Sequence, residues 1–142
     1  MDLIIIGHGP SVDHVHHDFI DKHTVCRLRR AIRVAGTRTD IICSVRPYYK
    51  QWPKAEWWSL APDAHWRDFC IERLAPYRPK FIKPSTGLSA CMIAKEKGYK
   101  DIRVIGFDWV INPETGKNIT KHDAHAEHRC FMDMDIKYEQ VF

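Results

Sequence analysis

The sequence predicts an α/β domain, with a Rossmann-like, mainly parallel sheet of about five strands and helices on both faces. Residues 3–6 are apolar throughout, and the runs at 41–45 and 102–107 are apolar apart from Ser44 and Arg103. Strands have this character when both faces of their sheet are covered. A length of 142 residues suits one such domain, spanning 1–142.

The first strand, residues 3–6, runs into a turn that contains two glycines and can lead into a helix over residues 12–20. The turn consists of Gly7, His8, Gly9, Pro10 and Ser11. The last of these is suited to cap the helix. The turn resembles a dinucleotide-binding loop that lacks its third glycine, which is a weak signal by itself. Its place after the first strand of an α/β chain is nevertheless where phosphates usually bind.

The next two strands are predicted at residues 24–28 and 41–45, with the charged Arg27 inside the apolar frame of the first. Residues 46–79 hold four of the five tryptophans and many prolines, which predicts one or two short helices joined by turns. These aromatic side chains could line a sugar site, cover a sheet edge or form an oligomer contact, and composition does not choose between the three. A short strand at residues 81–82 follows.

The second half of the chain is organised around a loop, a helix and a strand. Ser85 or Thr86 can cap the helix, and Gly87 allows a ligand to approach the backbone. Gly98 ends the helix, and Asp108 sits at the carboxyl end of the strand that follows. A helix N-terminus of this kind can receive a phosphate, although an ordinary capped helix explains the same residues. A last helix is predicted from near residue 123 toward residue 138.

Composition narrows the class of partner. The net charge is +4 and the Lys and Arg residues are scattered, which suits an anionic nucleotide and disfavours a nucleic-acid partner. We see no long apolar segment and no targeting signal, so a cytoplasmic protein without a membrane span is expected. Five cysteines without a C-x-x-C pair indicate reduced core residues.

Several motifs, taken in order, resemble the sialyltransferase-type glycosyltransferases, which use CMP-activated sialic acid. They are G-x-G-P-S after the first strand, V-x-R, G-T-R-T-D-I, P-S-T-G, and G-Y-K-D-I-R-V-I-G-F-D. His122 and Glu127 also reproduce the family's spacing of a histidine five residues before a glutamate. The resemblance covers most of the chain, which is shorter than the family's catalytic domains. It implies an inverting, metal-independent transfer from a CMP-sugar, either sialic acid or a related keto-sugar, with no other cofactor.

The resemblance also implies a role for each matching residue. His122 would be the general base toward the acceptor hydroxyl, and Glu127 would help to shape the site. The nucleotide-binding positions would be Gly7, His8, Gly9, Pro10, Ser11, Arg27, Arg29, Ser85, Thr86, Gly87 and Asp108. His8 and Arg29 stand where the family has asparagine. A neutral histidine suits the base, since its ordinary pKa is about 6.5.

Two other functions stay open at the level of sequence. The short chain could be a non-catalytic nucleotide or nucleotide-sugar binding module, unless a homo-oligomer or another partner completes the cleft. A metal-dependent hydrolase could use His122, His125 and His128, but these histidines lack the i,i+4 pair of helical zinc proteases. We therefore expect no metal site. The glycan acceptor is not identified by the sequence.

Overall fold

A computed structural model of the chain describes residues 2–7, 17–28, 38–46, 54–77, 84–106 and 124–138. The strands are β1 (Asp2–Ile6), β2 (Thr24–Leu28), β3 (Ile41–Ser44), β4 (Glu56–Ser59), β5 (Asp101–Ile105) and β6 (Lys137–Tyr138). The helices are α1 (His17–Ile20), α2 (His65–Leu74), α3 (Thr86–Glu96) and α4 (Ala124–Asp133), and a 3₁₀ turn over Ala75–Tyr77 follows α2.

The strands form a six-stranded sheet in the order β4-β3-β2-β1-β5-β6, and every pairing in it is parallel. Ile5 of β1 lies opposite Cys26 on one side and Val104 on the other. The chain adds strands outward from β1 in one direction and then, from β5, in the other. The order therefore reverses between β1 and β5, and the α/β prediction of a Rossmann-like parallel sheet is confirmed.

Alternate residues of the strands face two separate apolar clusters. Leu3 and Ile5 belong to the larger cluster, which holds most of the buried apolar side chains of α2, α3 and α4. Ile4 and Ile6 belong to the smaller one, with Ile20 of α1. Both faces of the sheet are thus covered by helices, which explains why its central strands are apolar without alternation.

The helix α3 ends as its sequence predicts. Gly98 has φ of +94°, its amide donates to Lys95 O at 3.1 Å, and the amide of Tyr99 donates to Ala94 O at 3.1 Å. These two bonds are those of a Schellman motif, in which glycine supplies the left-handed residue after the helix. The chain then turns into β5.

The strand β4 corrects the prediction that residues 46–79 contain only short helices and turns. Trp58 is buried in the larger cluster whereas Trp57 is 42% exposed, as alternation along a strand at the sheet edge requires. Backbone bonds from Glu56 N to Asp40 O and from Leu60 N to Ser44 O, both 2.9 Å, extend the pairing with β3. Four residues give too short a pattern to be found in a proline-rich segment. The helix α2 agrees with the prediction.

The prediction that the last helix runs toward residue 138 is also wrong. The helix α4 stops at Asp133, and Lys137–Tyr138 pairs with β5 as a sixth strand. Asp135 lies between them with φ of 53°, a conformation that aspartate tolerates better than most residues. Of the predicted first helix, residues 17–20 are described and are helical. The predicted strand at 81–82 lies outside the described residues.

Candidate nucleotide site

The carboxyl ends of β1 and β5 form the edge at which an open α/β sheet binds ligands, because the helices that follow diverge to opposite faces there. Gly7 is buried at the end of β1, and its amide donates to Ile105 O at 2.8 Å. Gly106 follows β5 with φ of +75°, which favours glycine. Of the G-x-G-P-S turn, only Gly7 is described. His8, Gly9, Pro10 and Ser11 lie outside the described residues.

The N-terminus of α3 lies at the same edge, since α3 runs back toward the start of β5. Ser85 is its N-cap, in extended conformation, and its Oγ accepts from the amide of Leu88 at 3.3 Å. The predicted cap is therefore confirmed at Ser85. Thr86 and Gly87 form the first turn, half-buried, at the end where helix amides and the positive dipole end are available to an anion.

A buried carboxylate joins this cap to α4. Glu127 is only 2% exposed, and its Oε1 accepts from the amide of Ser85 at 2.9 Å and from the Ser85 hydroxyl at 2.5 Å. The two residues are 42 positions apart in sequence. The structure thus brings together the P-S-T-G motif and the glutamate that follows His122. Ser85 donates its amide and hydroxyl to Glu127 and accepts from the amide of Leu88, so among the described residues the first-turn amides of α3 without an acceptor are those of Thr86 and Gly87.

Arg27 is buried on β2 with 1% exposure. Its Nε donates to Thr39 Oγ1 at 2.7 Å and lies 3.3 Å from Arg38 O. Burial lowers the pKa of Arg27, and the nearby Asp21 carboxylate opposes that effect. Thr39 precedes β3, so these contacts lie toward the amino end of that strand. A nucleotide contact by Arg27 stays a prediction.

The described part of the G-T-R-T-D motif braces the start of β2 and β3. Asp40 Oδ2 accepts from the amide of Val25 at 2.8 Å and from Arg38 Nε at 2.9 Å. The amide of Arg38 donates to Asp21 Oδ1 at 3.1 Å. These contacts connect the turn after α1 with the starts of β2 and β3 at the amino edge of the sheet. The segment that resembles a family motif in sequence thus holds together the starts of β2 and β3.

The remaining predicted site residues, Arg29, Asp108 and His122, lie outside the described residues. Within the described ranges, no group of three His, Cys, Asp or Glu side chains is arranged to hold a metal ion. Of the three histidines considered as metal ligands, only His128 has a described side chain, and it is exposed. Across the same ranges, no helix has the length and apolarity needed to cross a bilayer.

All five cysteines are free and buried, as the sequence indicates. Burial is the main cause that raises their pKa values, to about 11 for Cys130 and about 12 for Cys70. The pKa values of Cys26, Cys43 and Cys91 are raised for the same reason. Protonated, enclosed thiols are poor nucleophiles, so these residues belong to the core and not to the chemistry.

Several solved structures are similar to this chain over almost its whole length. A mutant of the alpha-2,3/8-sialyltransferase CstII matches 99% of this chain and 81% of its own, with a TM-score of 0.55 and 14% identity. The fold is sialyltransferase-like. A second CST-II mutant, in complex with CMP, matches 99% and 80% with a TM-score of 0.56 and 13% identity. CstII from Campylobacter jejuni in complex with cytidine-5'-monophosphate matches 99% and 79%, with a TM-score of 0.52 and 14% identity. The chain matches no protein-family model, and no curated protein matches it in sequence.

Proposed function

We propose that this protein is a glycosyltransferase that uses a CMP-activated sugar, sialic acid or a related keto-sugar, with inversion and without a metal. The observation that carries the proposal is the Ser85–Glu127 contact, which joins the P-S-T-G and H-x₄-E motifs within a sialyltransferase-like fold. The two motifs resemble the family separately in the sequence. The contact between Ser85 and Glu127 therefore supports the proposal independently of either sequence match. The structural neighbours in complex with CMP are consistent with a cytidylate ligand.

The proposed division of labour follows from where the groups lie. CMP would lie across the edge formed by Gly7 and Gly106, with its phosphate toward the amides of Thr86 and Gly87. His122, five residues before Glu127, would take the proton of the acceptor hydroxyl as that oxygen attacks the sugar. CMP leaves with one phosphate, so helix amides could stabilise it without a metal. The acceptor is a glycan of unidentified structure.

Ligand selectivity tests the nucleotide part of the proposal. A ligand that binds only the folded state raises the melting temperature by mass action. We expect CMP to raise it more than UMP or GMP at equal concentration, with or without EDTA. Equal shifts with all three nucleotides, or none with any, would contradict a cytidylate site.

Hydrolysis of a CMP-sugar, with water as acceptor, tests the catalytic part. We expect His122→Ala to lower the rate by roughly two to four orders of magnitude, the usual contribution of a general base, with CMP affinity nearly unchanged. The control is His23→Ala, because His23 lies at the amino end of β2 and its Nδ1 contacts Phe19 O at 2.9 Å. Turnover should persist there. A wild-type protein that binds CMP but turns over no CMP-sugar would instead be a binding module.

A further inference from the structure

The carboxylate of Glu127 occupies an unusual place for a protein that binds a phosphate. It is buried at the N-terminus of α3, the position that the helix dipole makes favourable for a ligand anion. One oxygen receives both the amide and the hydroxyl of Ser85. Two donors on one oxygen suit an ionised carboxylate, and hydrogen bonds to a charged acceptor are about twice as strong as neutral ones.

The contact restrains two elements at once. Ser85 is the cap of α3, so its backbone sets the direction in which the next two amides, of Thr86 and Gly87, point. Glu127 belongs to the first turn of α4, which begins at Ala124 and follows the segment that contains His122. A bond between the N-cap of α3 and the first turn of α4, two helices that both pack in the larger apolar cluster, restrains their relative position.

We propose that Glu127 is a positioning residue: through Ser85 it orients the amides of Thr86 and Gly87 toward the phosphate of the nucleotide, without contacting the ligand itself. This inference rests on the proposed function. The family motif implies that Ser85 binds the nucleotide. Here Ser85 instead links Glu127 to the first turn of α3. What matters in this arrangement is an oxygen acceptor at the position of Oε1, so glutamine can replace glutamate.

The affinities for CMP and for cytidine, measured by calorimetry, separate positioning from general damage. Only CMP carries the phosphate, so the ratio of the two dissociation constants reports on the phosphate contacts. We expect Glu127→Ala to reduce the preference for CMP over cytidine by about tenfold, the equivalent of one well-made hydrogen bond. We expect Glu127→Gln to restore most of it. Glu96→Gln is the matched control, since Glu96 lies at the opposite end of α3 and pairs with Arg73 at 3.3 Å in an exposed position.

The outcomes are distinct. An unchanged CMP preference in Glu127→Ala would overturn the inference and leave the proposed function standing. A loss of preference in Glu127→Gln as large as in Glu127→Ala would also overturn it, because charge and not an oxygen acceptor would then be required. If the wild type and Glu96→Gln bind no CMP, the proposed function itself fails, and this inference with it. Should Glu127→Ala not fold, Ser85→Ala removes one of the two bonds to Glu127 and should reduce the preference in part, and an unchanged preference there would overturn the link.

Discussion

Ser85→Ala is the substitution whose effect on stability the structure specifies most fully. The hydroxyl of Ser85 donates to Glu127 Oε1 at 2.5 Å and accepts from the amide of Leu88 at 3.3 Å. A hydrogen bond to a charged group contributes about 1.5–3 kcal/mol, and loss of an N-cap costs about 1 kcal/mol. The amide of Ser85 still donates to Glu127 in the variant, so the carboxylate keeps one partner. We therefore expect the free energy of unfolding to fall by about 2–4 kcal/mol.

Urea denaturation measures this loss. For a slope of about 2 kcal/mol per molar urea, the midpoint should fall by about 1–2 M with the slope unchanged. Ser89→Ala is the matched control on the same helix. The hydroxyl of Ser89 donates to Ser85 O at 2.8 Å, but the amide of Ser89 also donates to that oxygen at 3.0 Å. Nothing is left unsatisfied there, and less than about 1 kcal/mol should be lost. Equal losses in the two variants would refute the reasoning, because the Glu127 contact would then contribute nothing beyond an ordinary serine bond.

Two further predictions concern the backbone and the core. Gly98→Ala should lower the free energy of unfolding by about 1–2 kcal/mol, because φ of +94° is strained for alanine while no atom lies within 4 Å of the added Cβ. Gly98→Asn should lose less in the same urea titration, and an alanine variant as stable as the wild type would contradict the Schellman geometry. The free energy of unfolding should also fall as the pH rises above about 9. Unfolded thiols ionise near their ordinary pKa of 9.0, whereas burial raises the folded pKa to about 11 for Cys130 and about 12 for Cys70. The unfolded state thus releases protons first, and each of these thiols lowers stability by up to about 1.4 kcal/mol per pH unit until its folded pKa is reached. Urea midpoints at pH 7, 9 and 10 measure this effect, Cys130→Ser should make the dependence flatter, and equal slopes in the two proteins would exclude Cys130 as a source.

Features that depend on neighbouring residues could be read from the sequence. The Ile- and Val-rich runs predict buried parallel strands because their composition reflects two covered faces. Ser85 as cap and Gly98 as stop follow from side-chain and backbone chemistry within one turn of the helix. The free, buried cysteines also follow from their spacing and apolar surroundings. Each of these inferences needs only a few consecutive residues, which is why it survives without knowledge of the fold.

Features that depend on distant residues were decided by the tertiary structure. The strand β4 forms because Trp58 packs into the larger apolar cluster and the backbone of β4 pairs with β3. Neither condition can be recognised from a four-residue segment. The sixth strand needs β5 as its partner, which a helical pattern near residue 138 cannot reveal. Arg27 turns its Nε toward Thr39 because packing of β2 against β3 supplies an acceptor there.

The Ser85–Glu127 contact shows the same limit at the site. The sequence identified both residues through separate motifs, but it assigned one to the nucleotide and the other to the shape of the cleft. Only the packing of α4 beside α3 brings them within hydrogen-bond distance across 42 positions. A buried carboxylate must find donors, and the fold decides which donors are within its reach. The sequence by itself therefore determined which residue types are present at the candidate site, and the tertiary structure decided that Ser85 and Glu127 bind each other.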